Sequence, residues 1–323
     1  MKGEQVSLFP YSENHERLFP GAVNVATVPQ RSPFRYPGGK TWFVPTFRKW
    51  VSYKPTQPRL LVEPFVGGGI ISLTALFENL AQSVLMVEKD EGIAAVWKSV
   101  ISGDARWLAE RILEFRLTKE NVLNEINKPY KQAKDIAFQT ILKNRTFHGG
   151  ILADGSSFLK HGENGKGIRS RWYPKTLAAR FRNLEVVASR IDFVCGDGLE
   201  ALRHHSNDRD TIFFIDPPYT AGGKKAGRRL YKYYDLDHDK LFEICQSLKG
   251  DFIMTYDMAD EVKKLVRKHG FQMKPIAMRN THNAEMTELV IGRDLSWMSD
   301  AQLIKDKKAI YKKNLQPKWS DNQ

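Results

Sequence analysis

Cysteine is scarce in this 323-residue sequence, with Cys195 and Cys245 the only two. No CxxC pair exists, which excludes the usual thiolate zinc sites. Both thiols read as buried side chains rather than as a bridge. The eight histidines show no metal-ligand spacing, and His204-His205 read as a helix end, so no metal is expected. No apolar run approaches the length of a membrane span, and Met1 to Gln5 lead into no signal-type core. The expected setting is a reducing cytoplasm, away from membranes. No internal repeat is visible.

What the chain has in excess is positive charge, a net +13. An excess of that size points to a polyanion, nucleic acid before membrane. Its placement matters more than its size. Between Lys143 and Arg182 nine basic side chains face only Asp154 and Glu163, over half of the chain's net charge. Phe147, Phe158, Trp172 and Tyr173 are interleaved with them. Arg145, His148, Lys166, Arg169 and Arg171 are the candidate contacts, with phosphate rather than base the expected target of any one arginine. A second basic run, Lys224, Lys225, Arg228, Arg229 and Lys232, carries Gly222, Gly223 and Gly227. It reads as a loop that closes over a bound strand, and Lys224 and Arg228 join the candidates.

Apolar patterning alternates. Strands are expected at 60–63, 83–87, 191–194, 211–215 and 252–256, with a hairpin over 271–278 and 285–291. Helices are expected at 41–51, 70–79, 91–101, up to 204, 237–249 and 260–268. Strand, Gly-rich turn, helix and strand in succession make a βαβ unit, so the class is α/β with a mainly parallel sheet. The alternation stops between about 104 and 188. Helical patterning at 105–117 and 129–143, then a glycine-rich section, reads as an inserted domain. Residues 1–32 read as an irregular arm and 294–323 as a basic tail.

Phe65-Val66-Gly67-Gly68-Gly69 lies between a strand and a helix. Glycines there let the backbone approach a ligand, and the helix N-terminus favours an anionic group. Glu88 closes the next strand, where an acid binds a ribose diol. The pair suggests an adenosine-bearing cofactor. NAD fits weakly, because Ser72 stands where the dinucleotide pattern wants a third glycine. A phosphate loop ending in Gly39-Lys40-Thr41 fails, because Phe34 occupies the first glycine position. Further on, Asp216-Pro217-Pro218-Tyr219 follows the buried strand at 211–215. An acceptor-only carboxylate and a flat ring at a strand's carboxyl end suit a planar ligand bearing an amine.

Tyr36-Pro37-Gly38-Gly39-Lys40, Val62 to Gly69 and Asp216 to Tyr219 stand in the order found in the Dam-type DNA adenine-N6 methyltransferases. Over roughly residues 33–293 the chain resembles that family. The resemblance implies S-adenosylmethionine as methyl donor and a Rossmann-like methyltransferase fold with a C-terminal antiparallel hairpin. It implies a catalytic domain of 33–103 and 189–293, and an inserted, mostly helical target-recognition domain at 104–188. Tyr36, Lys40, Phe65, Gly67, Gly69, Glu88, Asp197 and Asp216 match cofactor positions. Pro37 and Glu88 depart from residues that some relatives carry there. Asn144 to Gly149 resembles the opening of the target-recognition segment.

The implied chemistry sits at Asp216, Pro217, Pro218 and Tyr219. Asp216 and the Pro217 carbonyl would accept hydrogen bonds from the two amino hydrogens of an adenine flipped out of double-stranded DNA, and Tyr219 would stack on the base. Cytosine-N4 methylation would use the same acceptors, and a catalytically silent DNA-binding relative is a third reading. No Pro-Cys pair of the cytosine-C5 kind is present. A monomer is expected, with any cognate restriction endonuclease not stably bound.

Overall fold

A computed structural model describes residues 27–36, 38–162, 165–220, 230–279 and 285–298. Lys224 and Arg228, most of the N-terminal arm and the basic tail therefore lie outside the described residues.

The strands are β1 (Leu60–Glu63), β2 (Ser83–Glu88), β3 (Ile191–Cys195), β4 (Thr211–Ile215), β5 (Asp251–Asp257), β6 (Gln272–Arg279) and β7 (Glu285–Gly292). They form one seven-stranded sheet in the order β3-β2-β1-β4-β5-β7-β6. The first five run parallel, with Val62 opposite Leu85 on one side and Phe213 on the other. Only β7 is antiparallel to its neighbours β5 and β6. This is the mixed sheet that the alternation and the expected hairpin imply.

Period-two alternation sorts the strand side chains into two cores. Leu61, Val84, Met86, Ile212 and Phe214 point to one face, whereas Leu60, Val62, Leu85, Phe213 and Ile215 point to the other. Central β1 and β4 are buried on both faces, as a parallel sheet covered by two helix layers requires. The second face is closed by α8 (Gly198–His204), α9 (His238–Ser247) and α10 (Asp260–Lys268).

The first face is closed by α1 (Val44–Ser52), α2 (Ile70–Phe77) and α3 (Glu91–Ile101). It is also closed by the insert, which holds α4 (Ala105–Glu114), α5 (Lys119–Ile126), α6 (Ala133–Thr146) and α7 (Pro174–Leu184). Leu108, Ile112, Phe138, Ile141, Phe181 and Leu184 of these helices join Trp97 and Val100 of α3 in a single apolar cluster. The insert thus packs on the first face of the sheet through a core shared with α3.

Cys245 is buried as expected, but Cys195 is exposed. The reason is position: β3 is an edge strand, and its outer residues are left open. Among the described residues no helix is long and apolar enough to cross a membrane.

Candidate active site

The parallel strands end at one edge of the sheet, where β1 and β4 sit side by side although their helices leave in opposite directions. Such a switch point opens a crevice. Here the crevice is a cleft of about 1140 Å³ including its open mouth. Its walls bring together Tyr36, Lys40, Phe65, Gly69, Glu88, Asp197, Asp216 and Pro218, all expected from sequence. Gly150, Leu152 and Ala153 of the insert complete one side, and Tyr231 and Tyr233 another.

The glycine turn is held from below. Val66 N–H donates to the Val87 carbonyl at 3.0 Å, and Trp97 Nε1 donates to the Gly67 carbonyl at 3.1 Å. Gly67 has φ +45°, and a Cβ there would stand 2.5 Å from the Tyr36 ring. Gly67 therefore lies under Tyr36 rather than on the cleft wall. Its N–H donates to Glu88 Oε2 at 3.0 Å, and the Lys89 and Asp90 N–H groups donate to Oε1, each at 2.9 Å. Burial pushes the Glu88 pKa up to about 7 although these amides pull it down. Asp197 caps α8 through the Leu199 N–H at 2.8 Å.

Glu63 is a residue the sequence reading passed over. It ends β1, is 4% exposed, and accepts from both the N–H and the hydroxyl of Ser72. The N-terminus of α2 is thus served by the chain's own carboxyl, and Ser72, where a dinucleotide fingerprint would have glycine, is its partner. Burial pushes the Glu63 pKa from 4.5 up to about 8. The folded state then holds a proton that the unfolded chain releases, so stability falls as pH rises from about 4.5 through about 8. Glu63→Gln removes that slope and leaves the variant more stable than the parent above this window, by roughly 2–4 kcal/mol. Urea midpoints at about pH 6 and about pH 9 check this, and parallel shifts in both proteins would contradict it.

Asp216 is the hub of the cleft. Its Oδ1 accepts from Lys40 Nζ at 2.9 Å, Tyr219 Oη at 2.9 Å and Thr255 Oγ1 at 2.8 Å. Lys40 is 4% exposed and also donates to the Gly38 carbonyl at 3.0 Å. Burial opposes its charge, but Asp216 and Glu288 outweigh burial and hold its pKa above the ordinary value. Glu288, on β7, lies 3.5 Å from Lys40 Nζ and 2.8 Å from Tyr219 Oη. Neither Glu288 nor Thr255 was singled out from sequence, because they belong to strands remote from the motifs.

Tyr219 joins the same network. Its ring stacks on Tyr256 at 5.8 Å and 22°, Lys40 Nζ lies 4.9 Å from its centroid, and its hydroxyl is held by two carboxyls. Stacking on a base would require that ring to give up part of these contacts. Pro217 is likewise buried behind the wall rather than part of it.

The basic candidates separate. Arg145 is 6% exposed, and its guanidinium donates to the Pro33 carbonyl. Burial and then Arg180, Arg35 and Arg171 pull its pKa down to about 9. Its expected DNA contact is therefore corrected: the side chain is structural, because α6 turns that position into the shared core. Asn144 beside it donates to the Arg35 and Gly150 carbonyls at 2.8 and 2.9 Å and accepts from the Arg35 N–H at 2.9 Å. Arg180 donates to the Ser32 carbonyl at 3.1 Å. His148, Lys166 and Arg169 are exposed and Arg171 is half-buried. Lys166 and Arg169 share an open groove with Lys119, Lys160 and Phe158. Among the described residues no group of three or more His, Cys, Asp or Glu could hold a metal ion.

Comparison with known proteins agrees with this geometry. A protein named DNA N-6-adenine-methyltransferase from Escherichia phage P1 is 26% identical over 285 residues, covering 84% of this chain and 35% of that protein. This chain therefore spans about a third of the phage relative's length. The type II methyltransferase M.MjaIII of Methanocaldococcus jannaschii is 24% identical over 225 residues, 64% of this chain and 75% of that one. Among solved structures the B. subtilis tRNA methyltransferase TrmK aligns over 82% of this chain and 76% of its own, at 11% identity and a TM-score of 0.33, a likeness too low to argue from. A family model matches residues 36–281, about three quarters of the sequence. With its motifs, its sheet order and its cleft in agreement, the chain belongs to the D12 class of N6 adenine-specific DNA methyltransferases.

Proposed function

We propose that the protein transfers the methyl group of S-adenosylmethionine to N6 of an adenine in double-stranded DNA. The observation that carries this reading is the state of Asp216. Its Oδ1 is saturated by Lys40, Tyr219 and Thr255, which leaves Oδ2 of this cleft-lining residue to accept from an incoming amino group. An adenine amino nitrogen is a poor nucleophile because its lone pair is delocalised into the ring. Acceptors placed on its two hydrogens favour a pyramidal nitrogen and free that pair. Asp216 Oδ2 is the first acceptor in this reading, and the Pro217 carbonyl, buried behind the wall, becomes the second once the incoming base uncovers it.

The residues of the cleft fit the methyl donor. Glu88, oriented by three backbone N–H groups, keeps one lone pair on Oε2 for a ribose hydroxyl. Phe65, Ile93 and Leu236 supply apolar walls, and Asp197 a polar edge, for an adenine ring. Gly68 and Gly69 line the cleft, and a Cβ on Gly69 would stand 2.9 Å from Trp97, so glycine there lets the turn pack down on α3. When bound, S-adenosylmethionine supplies an electrophilic methyl group, so the protein needs no nucleophile of its own.

A base inside a duplex cannot reach a cleft at the end of a sheet, so the adenine is flipped out. His148, Lys166, Arg169 and Arg171 are the contacts assigned to the insert in this reading, with Lys224 and Arg228 from the loop beyond the described residues. The unit acts as a monomer in the cytoplasm, and any cognate restriction endonuclease acts on the same DNA without being bound to it.

Incubating the protein with duplex DNA and methyl-labelled S-adenosylmethionine tests the reading. Nucleoside mass analysis is expected to show N6-methyladenine. Label in N4-methylcytosine, or no transfer at all, would overturn it.

A further inference from the structure

The hydrogen-bond count around Tyr219 does not close with both acids ionised. Tyr219 Oη lies 2.9 Å from Asp216 Oδ1 and 2.8 Å from Glu288 Oε2. A phenol has one proton and can give it to only one of them. The second contact, oxygen to oxygen, needs another proton between its atoms. Thr255 cannot supply it, because its hydroxyl is given to Asp216 Oδ1 at 2.8 Å. Lys40 cannot either: two of its three protons go to Asp216 Oδ1 and the Gly38 carbonyl at 2.9 and 3.0 Å, and the third faces Glu288 from 3.5 Å, which still leaves the Tyr219–Glu288 contact without one. One buried cation would also face two carboxylates.

We propose that Glu288 is a positioning residue that carries a proton in the working enzyme. It donates to Tyr219 Oη, Tyr219 in turn donates to Asp216, and Asp216 is left as the ionised acceptor. Every short contact then has its proton, and Lys40 balances a single negative charge. The proton belongs on Glu288 rather than Asp216 for two reasons. Asp216 receives three donors, one of them cationic, and its side chain is 20% exposed, whereas that of Glu288 is 9% exposed with its cation farther away. Burial, then the Asp216 charge acting against Lys40, raises the Glu288 pKa. The other groups facing it are few. Asp257 is its partner across β5, Tyr231 is near enough to feel its charge, and apolar Ile276 is opposite it on β6.

The consequence rests on the adenine-methylation reading. At the pH where Glu288 loses its proton, Tyr219 is drawn between two anions and Asp216 loses its fixed orientation. Wild-type kcat is expected to fall there as pH rises. Glu288→Ala should lower kcat about 100-fold, and Glu288→Gln, neutral and able to donate, should recover to within about tenfold of wild type without that fall. A Gln variant as impaired as the Ala variant, or one that keeps the same fall with rising pH, would overturn the proposal.

An infrared difference spectrum at neutral pH reads the proton without reference to catalysis. Wild type minus Glu288→Gln is expected to show a protonated-carboxyl band, since the band from Glu63 is common to both proteins and cancels. An ionised-carboxylate difference instead would overturn the proposal. If the protein methylates no adenine, this band still reports Glu288, so a failure of the proposal is separable from a failure of the functional reading.

Discussion

Asp216→Ala is expected to abolish methyl transfer, with kcat lowered about a thousandfold or more and DNA affinity changed by less than about threefold. The size of the effect follows from what converges on one oxygen. Lys40, Tyr219 and Thr255 all donate to Asp216 Oδ1. Removing the carboxylate deletes the proposed acceptor for the substrate amine and releases three donors that fixed it. Asp216→Asn separates the two contributions. It keeps the shape, but Lys40 is then left beside Glu288 as its remaining acid. Its kcat should also be low, which would assign the effect to charge rather than to collapse. Single-turnover kinetics with filter-binding of DNA provide the measurement. Near-normal turnover in Asp216→Ala would end the mechanism given above.

Gly67→Ala is expected to weaken S-adenosylmethionine binding by about 100-fold while leaving the fold intact. Two independent strains meet at that position. Its φ of +45° is one that side chains avoid, and its Cβ would lie 2.5 Å from Tyr36 Cε1 and 2.6 Å from Cζ. Either the turn flattens, which pulls its N–H away from Glu88 Oε2, or Tyr36 swings into the cleft it lines. Both outcomes damage the ribose end of the site. Calorimetric titration with S-adenosylmethionine reads the affinity, and circular dichroism reads the fold. Adding Tyr36→Ala should recover part of the loss, because it relieves the steric strain and not the backbone strain. Unchanged affinity in Gly67→Ala would show that the turn does not touch the methyl donor.

The sheet was legible because its strands are short, apolar and separated by turn residues. Thr211 to Ile215 could hardly be anything else, and the bounds expected for it are those observed. The second and last insert helices illustrate the opposite case. In α7 the core face is Leu177, Ala178, Phe181 and Leu184, a helical spacing present in the sequence but masked by Lys175, Arg180 and Arg182, which read as a basic stretch. In α5 only Val122 and Glu125 are buried, so little apolar period existed to find.

The site divides in the same way. Residues next to a motif, such as Lys40, Glu88 and Asp216, could be named because spacing places them at strand ends. Thr255 and Glu288 could not, because only strand pairing across β5 and β7 carries them to Asp216. Arg145 was misassigned for a related reason. A one-dimensional charge count cannot tell which side of a helix an arginine faces, and here burial in a helix layer decided it.

The ties between the insert and residues 32–36 constrain anyone who would exchange recognition segments between relatives. Asn144 holds the backbone of Arg35 on both its N–H and carbonyl sides, Arg145 holds Pro33, and Arg180 holds Ser32. These are the residues immediately before Tyr36 and Lys40. A graft that replaced the whole insert would remove the fastening of residues 32–35, and so of the Tyr36 to Lys40 loop that follows them. Chimeras should therefore be joined inside the stretch between His148 and Trp172, with Asn144, Arg145 and Arg180 retained from the host.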